Sequence, residues 1–330
     1  MSKYELNWSD IAFGDKEPLK NLRAIFIAPS REITVKRFTQ IIKLYLPVAN
    51  IVIGCTKEKY IDGFGEQPQF KTLQISDIKS VVDKVNQSDS PHKITILNCK
   101  QSDCQHIYKK IKFRSVLLVN GSWRYTFHTR PEYYALTSRN ITFEFISPFV
   151  SEEEALKYVE SMERQMPILP IGELLGEREM MAASSSAANY SFDNTFQTGV
   201  SLGIKSGDKY KLLMASYNKT VPYLTFAWHT GSLRERHLSP PGDLNHYDTV
   251  HAEVMLLIQA QKKGLKLSGT TLFINLLPCP TCARMLCETD INEIVYSIDH
   301  SDGYAVTLLE KAGKTVRRLV MPNDKVSLEE

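Results

Sequence analysis

The sequence predicts an α/β protein in two parts, a doubly wound domain over 1–166 and a second α/β domain with a mixed sheet over 173–330. Three observations carry this. Short β-branched runs alternate with stretches of helical apolar spacing five times in the first half. Pro167 and Pro170 then interrupt the pattern. The second half opens instead with a helix and a hairpin signal before returning to strand and helix. A length of 330 residues suits two such domains, each able to bury a core.

In the first half, strands are expected over 23–28, 51–55, 93–99, 115–120 and 141–146. Helices are expected over 32–46, stopped by Pro47, and over 75–85, 103–111 and 131–138. Ser151 and Glu154 form a capping box that opens a last helix reaching about Met162. Parallel neighbours need crossovers, and the alternation supplies them. Such sheets often bind nucleotides, yet Gly63-Phe64-Gly65 lacks its third glycine at Pro68 and no Gly-Lys-Ser/Thr loop occurs. The first domain therefore reads as a scaffold or partner-binding unit.

Composition narrows the setting. The 40 basic and 37 acidic side chains leave +3, too mild to be a nucleic-acid footprint by itself. The first ten residues contain no apolar core of signal-peptide length, and no run is long enough to span a bilayer. A soluble, cytoplasmic protein with reduced thiols is the expectation for its six cysteines.

The second half is expected to fold as a helix over 177–190, a hairpin over 198–205 and 209–216, a helix over 250–262 and a strand over 270–275. A helix from Pro280 to about Cys287, a strand over 293–297, a helix over 305–312 and a strand over 315–320 complete it. A long polar loop, 230–248, carries Arg234, Arg236, His237 and His246. His251 and Glu253 fall in the first turn of one helix, and Cys279 and Cys282 share a face at the start of another. An imidazole and two thiolates are ligands that Zn²⁺ prefers, and helix starts favour the thiolate form. Three protein ligands leave one position open to water, and Glu253 is an acid that a purely structural metal would not use. Cys287, five residues beyond Cys282, is rotated by about 140° and should point away. Catalytic zinc with Glu253 handling protons is therefore favoured over a zinc-bearing binding or regulatory protein.

His251-Ala252-Glu253 with Pro278-Cys279-x-x-Cys282 resembles the zinc-dependent cytidine and deoxycytidylate deaminase superfamily over about 177–320. The resemblance implies a three-layer α/β/α domain with a mixed five-stranded sheet and one Zn²⁺ per chain held by His251, Cys279 and Cys282. It also implies Glu253 as proton shuttle, Asn218 as a substrate contact, and a homodimer. Parallel last strands look like the branch of tRNA-adenosine, guanine and deoxycytidylate deaminases, and His-Ala-Glu-Val-Met-Leu is similar to the helix of the tRNA-adenosine members, although Leu277 stands where purine-acting members commonly carry Glu. A purine nucleoside or nucleobase is thus the favoured small-molecule substrate. The alternatives are tRNA editing and the deamination of deoxycytidylate or cytidine.

Overall fold

The computed structural model describes residues 12–16, 19, 23–28, 31–121, 127–166, 168–194, 196–231, 249–299 and 303–321. Pro167 and the loop residues Arg234, Arg236, His237 and His246 lie outside them. By proximity of Cα atoms the chain divides into two compact units, 1–164 with 225–248, and 165–224 with 249–330.

The first unit contains β1 (Ala12–Gly14), β2 (Ile25–Ile27), α1 (Val35–Tyr45), β3 (Ile51–Thr56), α2 (Ile75–Asn86), β4 (Ile94–Cys99) and α3 (Cys104–Lys110). It continues with β5 (Ser115–Val119), α4 (Pro131–Thr137), β6 (Thr142–Ile146) and α5 (Glu152–Glu163). The sheet order is β1-β4-β3-β2-β5-β6, parallel throughout except for β1, which runs antiparallel along β4. The three-residue β1 lacks the length for a periodic signal, so it went unread in the sequence.

Alternation in the strands divides the core between the two sheet faces. Phe26, Val116 and Leu118 turn to one face, where Ile107 of α3 and Leu136 of α4 cover them. Ile25, Ile27, Leu117 and Val119 turn to the other, against Phe38 and Ile41 of α1 and Ile78 of α2. Ser151 caps α5 by accepting from the Glu154 amide, one half of the expected capping box, while the Glu154 carboxylate accepts from the Val150 amide rather than from that of Ser151.

The segment 225–231, which lies in the second half of the sequence, groups with this first unit and forms the short α7 (Phe226–Thr230). Trp228 lies 3% exposed under the Arg31 guanidinium, 3.3 Å from its ring centroid. A Cβ on Gly121 would come within 2.6 Å of the same indole, and Gly121 has φ +77°. Arg31 follows β2 and Gly121 follows β5, the two strands at which the winding reverses. An indole thus fills the place where doubly wound sheets often hold a ligand.

The second unit contains β7 (Leu174–Leu175), α6 (Glu177–Ala188), β8 (Gly199–Ser206), β9 (Lys209–Tyr217), β10 (Lys219–Thr220) and β11 (Thr249–Val250). It continues with α8 (Ala252–Lys262), β12 (Thr270–Leu276), α9 (Pro280–Cys287), β13 (Glu293–Ile298), α10 (Tyr304–Lys311) and β14 (Thr315–Arg318). The sheet order is β14-β13-β12-β8-β9-β7, with parallel pairing on the β12-β13-β14 side and antiparallel pairing on the other. All five expected strands are present, and the two residues of β7 add a sixth at the edge. A two-residue strand has no alternation to read.

Helix α6 covers one face through Met180, Met181 and Ala183 against Leu212, Phe273 and Val295. Leu256 and Ala260 of α8, Ala283 and Leu286 of α9 and Leu309 of α10 cover the other against Val200, Leu272, Ile274 and Ile294. No helix among the described residues is long and apolar enough to cross a membrane.

The first residue of β8 touches α6 backbone to backbone. A Cβ on Gly199 would collide with the Ser184 carbonyl and the Ala188 amide nitrogen, neither of which can rotate away. Gly199→Ala should therefore destabilise the second unit by about 1–3 kcal/mol, read as a lower denaturant midpoint with an unchanged slope.

Candidate metal centre

Two helices begin at one spot. His251 is the N-cap residue of α8 and Cys279 the N-cap residue of α9. Pro280 at the first helical position of α9 gives up an amide that would have had no partner there, and the Cys279 sulfur accepts from the Cys282 amide at 3.4 Å. The i, i+3 spacing then turns both sulfurs the same way.

The His251 Nδ1 atom lies 3.6 Å from Cys279 Sγ and 3.4 Å from Cys282 Sγ. All three ligand atoms fall within 4.8 Å of one another. A sulfur at about 2.3 Å and a nitrogen at about 2.0–2.1 Å from one ion, at a tetrahedral angle, are separated by about 3.6 Å. The cluster has the dimensions and the donor chemistry of a zinc site. Among the described residues it is the group of His, Cys, Asp and Glu side chains able to hold a metal. Cys287 faces elsewhere, its thiol 3.9 Å from the Leu308 carbonyl.

The electrostatics match. A hydrogen bond from the Cys282 thiol pulls Cys279 down to about 4, with His251 adding to the effect against burial. The hydrogen bond with Cys279 pushes the Cys282 thiol up, as does its burial. His251 is raised, first by its hydrogen bond with Cys279 and then by the charges of Glu253, Cys279 and Asp193, while burial opposes the rise.

Glu253, in the first turn of α8, is 3% exposed. Burial pushes its carboxyl group up, opposed by a backbone amide, the His251 charge and a hydrogen bond with the Cys282 thiol. Its Oε2 makes no hydrogen bond among the described residues. A buried carboxylate oxygen without a partner costs several kcal/mol in a site with no other use for it.

Asn218, between β9 and β10, is 4% exposed. Its Nδ2 donates to the Phe196 carbonyl at 2.9 Å and to Asp193 Oδ2 at 3.3 Å, and its Oδ1 accepts from the Thr198 amide at 2.9 Å. Asn218 therefore clamps the loop 193–198. Asn275 near the end of β12 does the same from the other side, accepting from the Gly199 amide at 2.9 Å and donating to the Gln197 carbonyl at 3.0 Å. Asn275 and Asp193 carry no motif, and their roles depend on long-range pairings that a single sequence does not display.

Residues 240–327 match the family model of the MafB19-like deaminases. The deoxycytidylate deaminase of Enterobacteria phage T2 is 30% identical over 64 residues, 19% of this chain and 34% of the relative. That of Saccharomyces cerevisiae is 30% identical over 112 residues, 33% of this chain and 34% of the relative. The chain thus spans about a third of the length of the first curated relatives it matches. A dCMP deaminase from the cyanophage S-TIM5, solved with dCMP and dUMP, covers 43% of this chain and 96% of its own at 19% identity and a TM-score of 0.35.

One zinc ion should be bound per chain after dialysis, measured by elemental analysis. Cys279→Ser and Cys282→Ser should lose it, and Cys287→Ser should keep it. The matched segment holds His251, Glu253, Cys279 and Cys282, and the family-model match with the curated relatives supports relating residues 240–327 to the cytidine and deoxycytidylate deaminase superfamily.

Proposed function

We propose that the second unit is a zinc-dependent hydrolytic deaminase that removes the exocyclic amino group of a nucleobase. The observation that carries the reading is Glu253, a buried acid with a free oxygen beside a three-ligand cluster. A structural zinc has no use for such a group, whereas hydrolysis needs one.

His251, Cys279 and Cys282 would hold the ion, which when bound supplies Lewis acidity for activating water. Glu253 accepts a proton as the water oxygen bonds to the ring carbon. It returns that proton to the amino nitrogen, which leaves as ammonia. The raised affinity of Glu253 for protons suits both halves of this transfer. Asn218 has both amide hydrogens engaged, so its contact with substrate is proposed through the remaining lone pair of its carbonyl oxygen. A homodimer is proposed on the resemblance alone.

Two observations divide the substrate class. The similarity of His-Ala-Glu-Val-Met-Leu to the helix of tRNA-adenosine deaminases supports a purine nucleoside or base, whereas the parallel β13-β14 pairing fits either class. The names of the curated relatives support a cytosine deoxynucleotide. Leu277, 1% exposed in the apolar core, sides with the second, since purine-acting members of the resembled branch commonly carry Glu there. Transfer RNA is the less favoured substrate. Activity on it should fall steeply with salt, unlike activity on a small molecule.

Ammonia release should be assayed over guanine, adenine and cytosine compounds as bases, nucleosides and nucleotides, beside a tRNA. Glu253→Gln should retain zinc and lose about 10²–10⁴-fold in rate on whichever substrate turns over. Undiminished release by this variant would overturn the mechanism, and silence across the whole panel would overturn the proposed activity.

A further inference from the structure

The short ladder β10-β11 pairs Lys219 with Val250 and Thr220 with Thr249, so its next antiparallel position sets Asn218 opposite His251. One carboxylate fastens both sides of this ladder. Asp193 Oδ2 lies 3.3 Å from Asn218 Nδ2 and 3.5 Å from Thr249 Oγ1. Its Oδ1 accepts from the Phe196 amide at 3.3 Å, and the Asp193 amide donates to Ser191 Oγ at 3.2 Å. Ser191 Oγ in turn donates to the Asn218 carbonyl at 3.0 Å, so the acid is held from its own backbone as well.

We infer that Asp193 is a positioning residue for His251, acting through Asn218 and Thr249 to fix the N-cap from which the imidazole projects. The inference rests on the proposed zinc site. Thr249 lies two residues before His251, at the end of a strand with two ladder positions. A half-buried carboxylate on both Asn218 and Thr249 constrains the two strands of this ladder together. Its negative charge also offsets the dication that the imidazole would help to carry. Outer groups that orient a metal-binding histidine typically contribute 10–100-fold to metal affinity.

The test compares full-length wild type with Asp193→Ala and Asp193→Asn. Zinc affinity is measured by competition with a chelator, the visible absorption of the Co²⁺-loaded protein reports ligand geometry, and thermal unfolding of the metal-free protein reports the fold. The expected result is a loss of about 10–100-fold in zinc affinity with altered Co²⁺ bands and an unchanged metal-free midpoint. If Asp193→Ala does not fold, Asp193→Asn, which preserves side-chain size and removes the charge, is read alone. In the variant so read, unchanged zinc affinity would overturn the inference, as would wild-type Co²⁺ bands or a lowered metal-free midpoint. A wild type that binds zinc but releases no ammonia ends the deaminase proposal and leaves this one standing.

Discussion

The second unit depends on two helix starts meeting at one point. In α8 and α9 the N-cap positions, where amides lack intrahelical partners, are taken by His251 and Cys279. The sheet makes the meeting unavoidable. Helix α9 departs from the carboxyl end of β12, and α8 runs back toward the amino end of the same strand, so both helices start at the same edge. Two positive dipole ends at one place would be unfavourable alone. A sulfur in the thiolate form between them would lessen that cost, and the hydrogen bonds from the Cys282 thiol, His251 and the Cys282 amide favour that form at Cys279.

Glu253 follows from the same geometry. Two residues after an N-cap, its side chain is carried into the interior beside the Cys282 thiol. The helix start lessens the penalty of burying a carboxylate but does not remove it, since burial is still the largest influence on this group and raises its pKa. A buried acid whose affinity for protons is raised, set beside the His251, Cys279 and Cys282 cluster, has the chemistry the proposed proton transfer needs. Bulk water could not offer the same directionality, because a solvated carboxylate would be held at its ordinary acidity.

Much of this was legible in the sequence because it is local. Strand alternation at Ile25-Phe26-Ile27 and Val116-Leu117-Leu118-Val119 splits directly between two cores, and the three-residue spacing of Cys279 and Cys282 sets their common face. What escaped was short or distant. The strands β1 and β7 and the β10-β11 ladder have two or three residues each, below any period. The grouping of Trp228 with Arg31 and Gly121 links positions about a hundred or more residues apart, and no propensity encodes that pairing. Asp193 looks in the sequence like one more loop acid, and only its partners Asn218 and Thr249 distinguish it.

The polar groups of the second unit are not scattered. Gly199 begins β8, Tyr217 ends β9 and Leu276 ends β12, so the clamps made by Asn218 and Asn275 on the loop 193–198 lie at one edge of the sheet. That is also the edge where α8 and α9 begin. Apolar packing of Val200, Leu202, Leu272 and Ile274 stops there, and side-chain amides take over the backbone groups that the ladders no longer satisfy. Asp193 is shared between this loop and the strand that leads to His251, through its hydrogen bonds with Asn218 and Thr249, so a single carboxylate ties the two segments together where the ladders end.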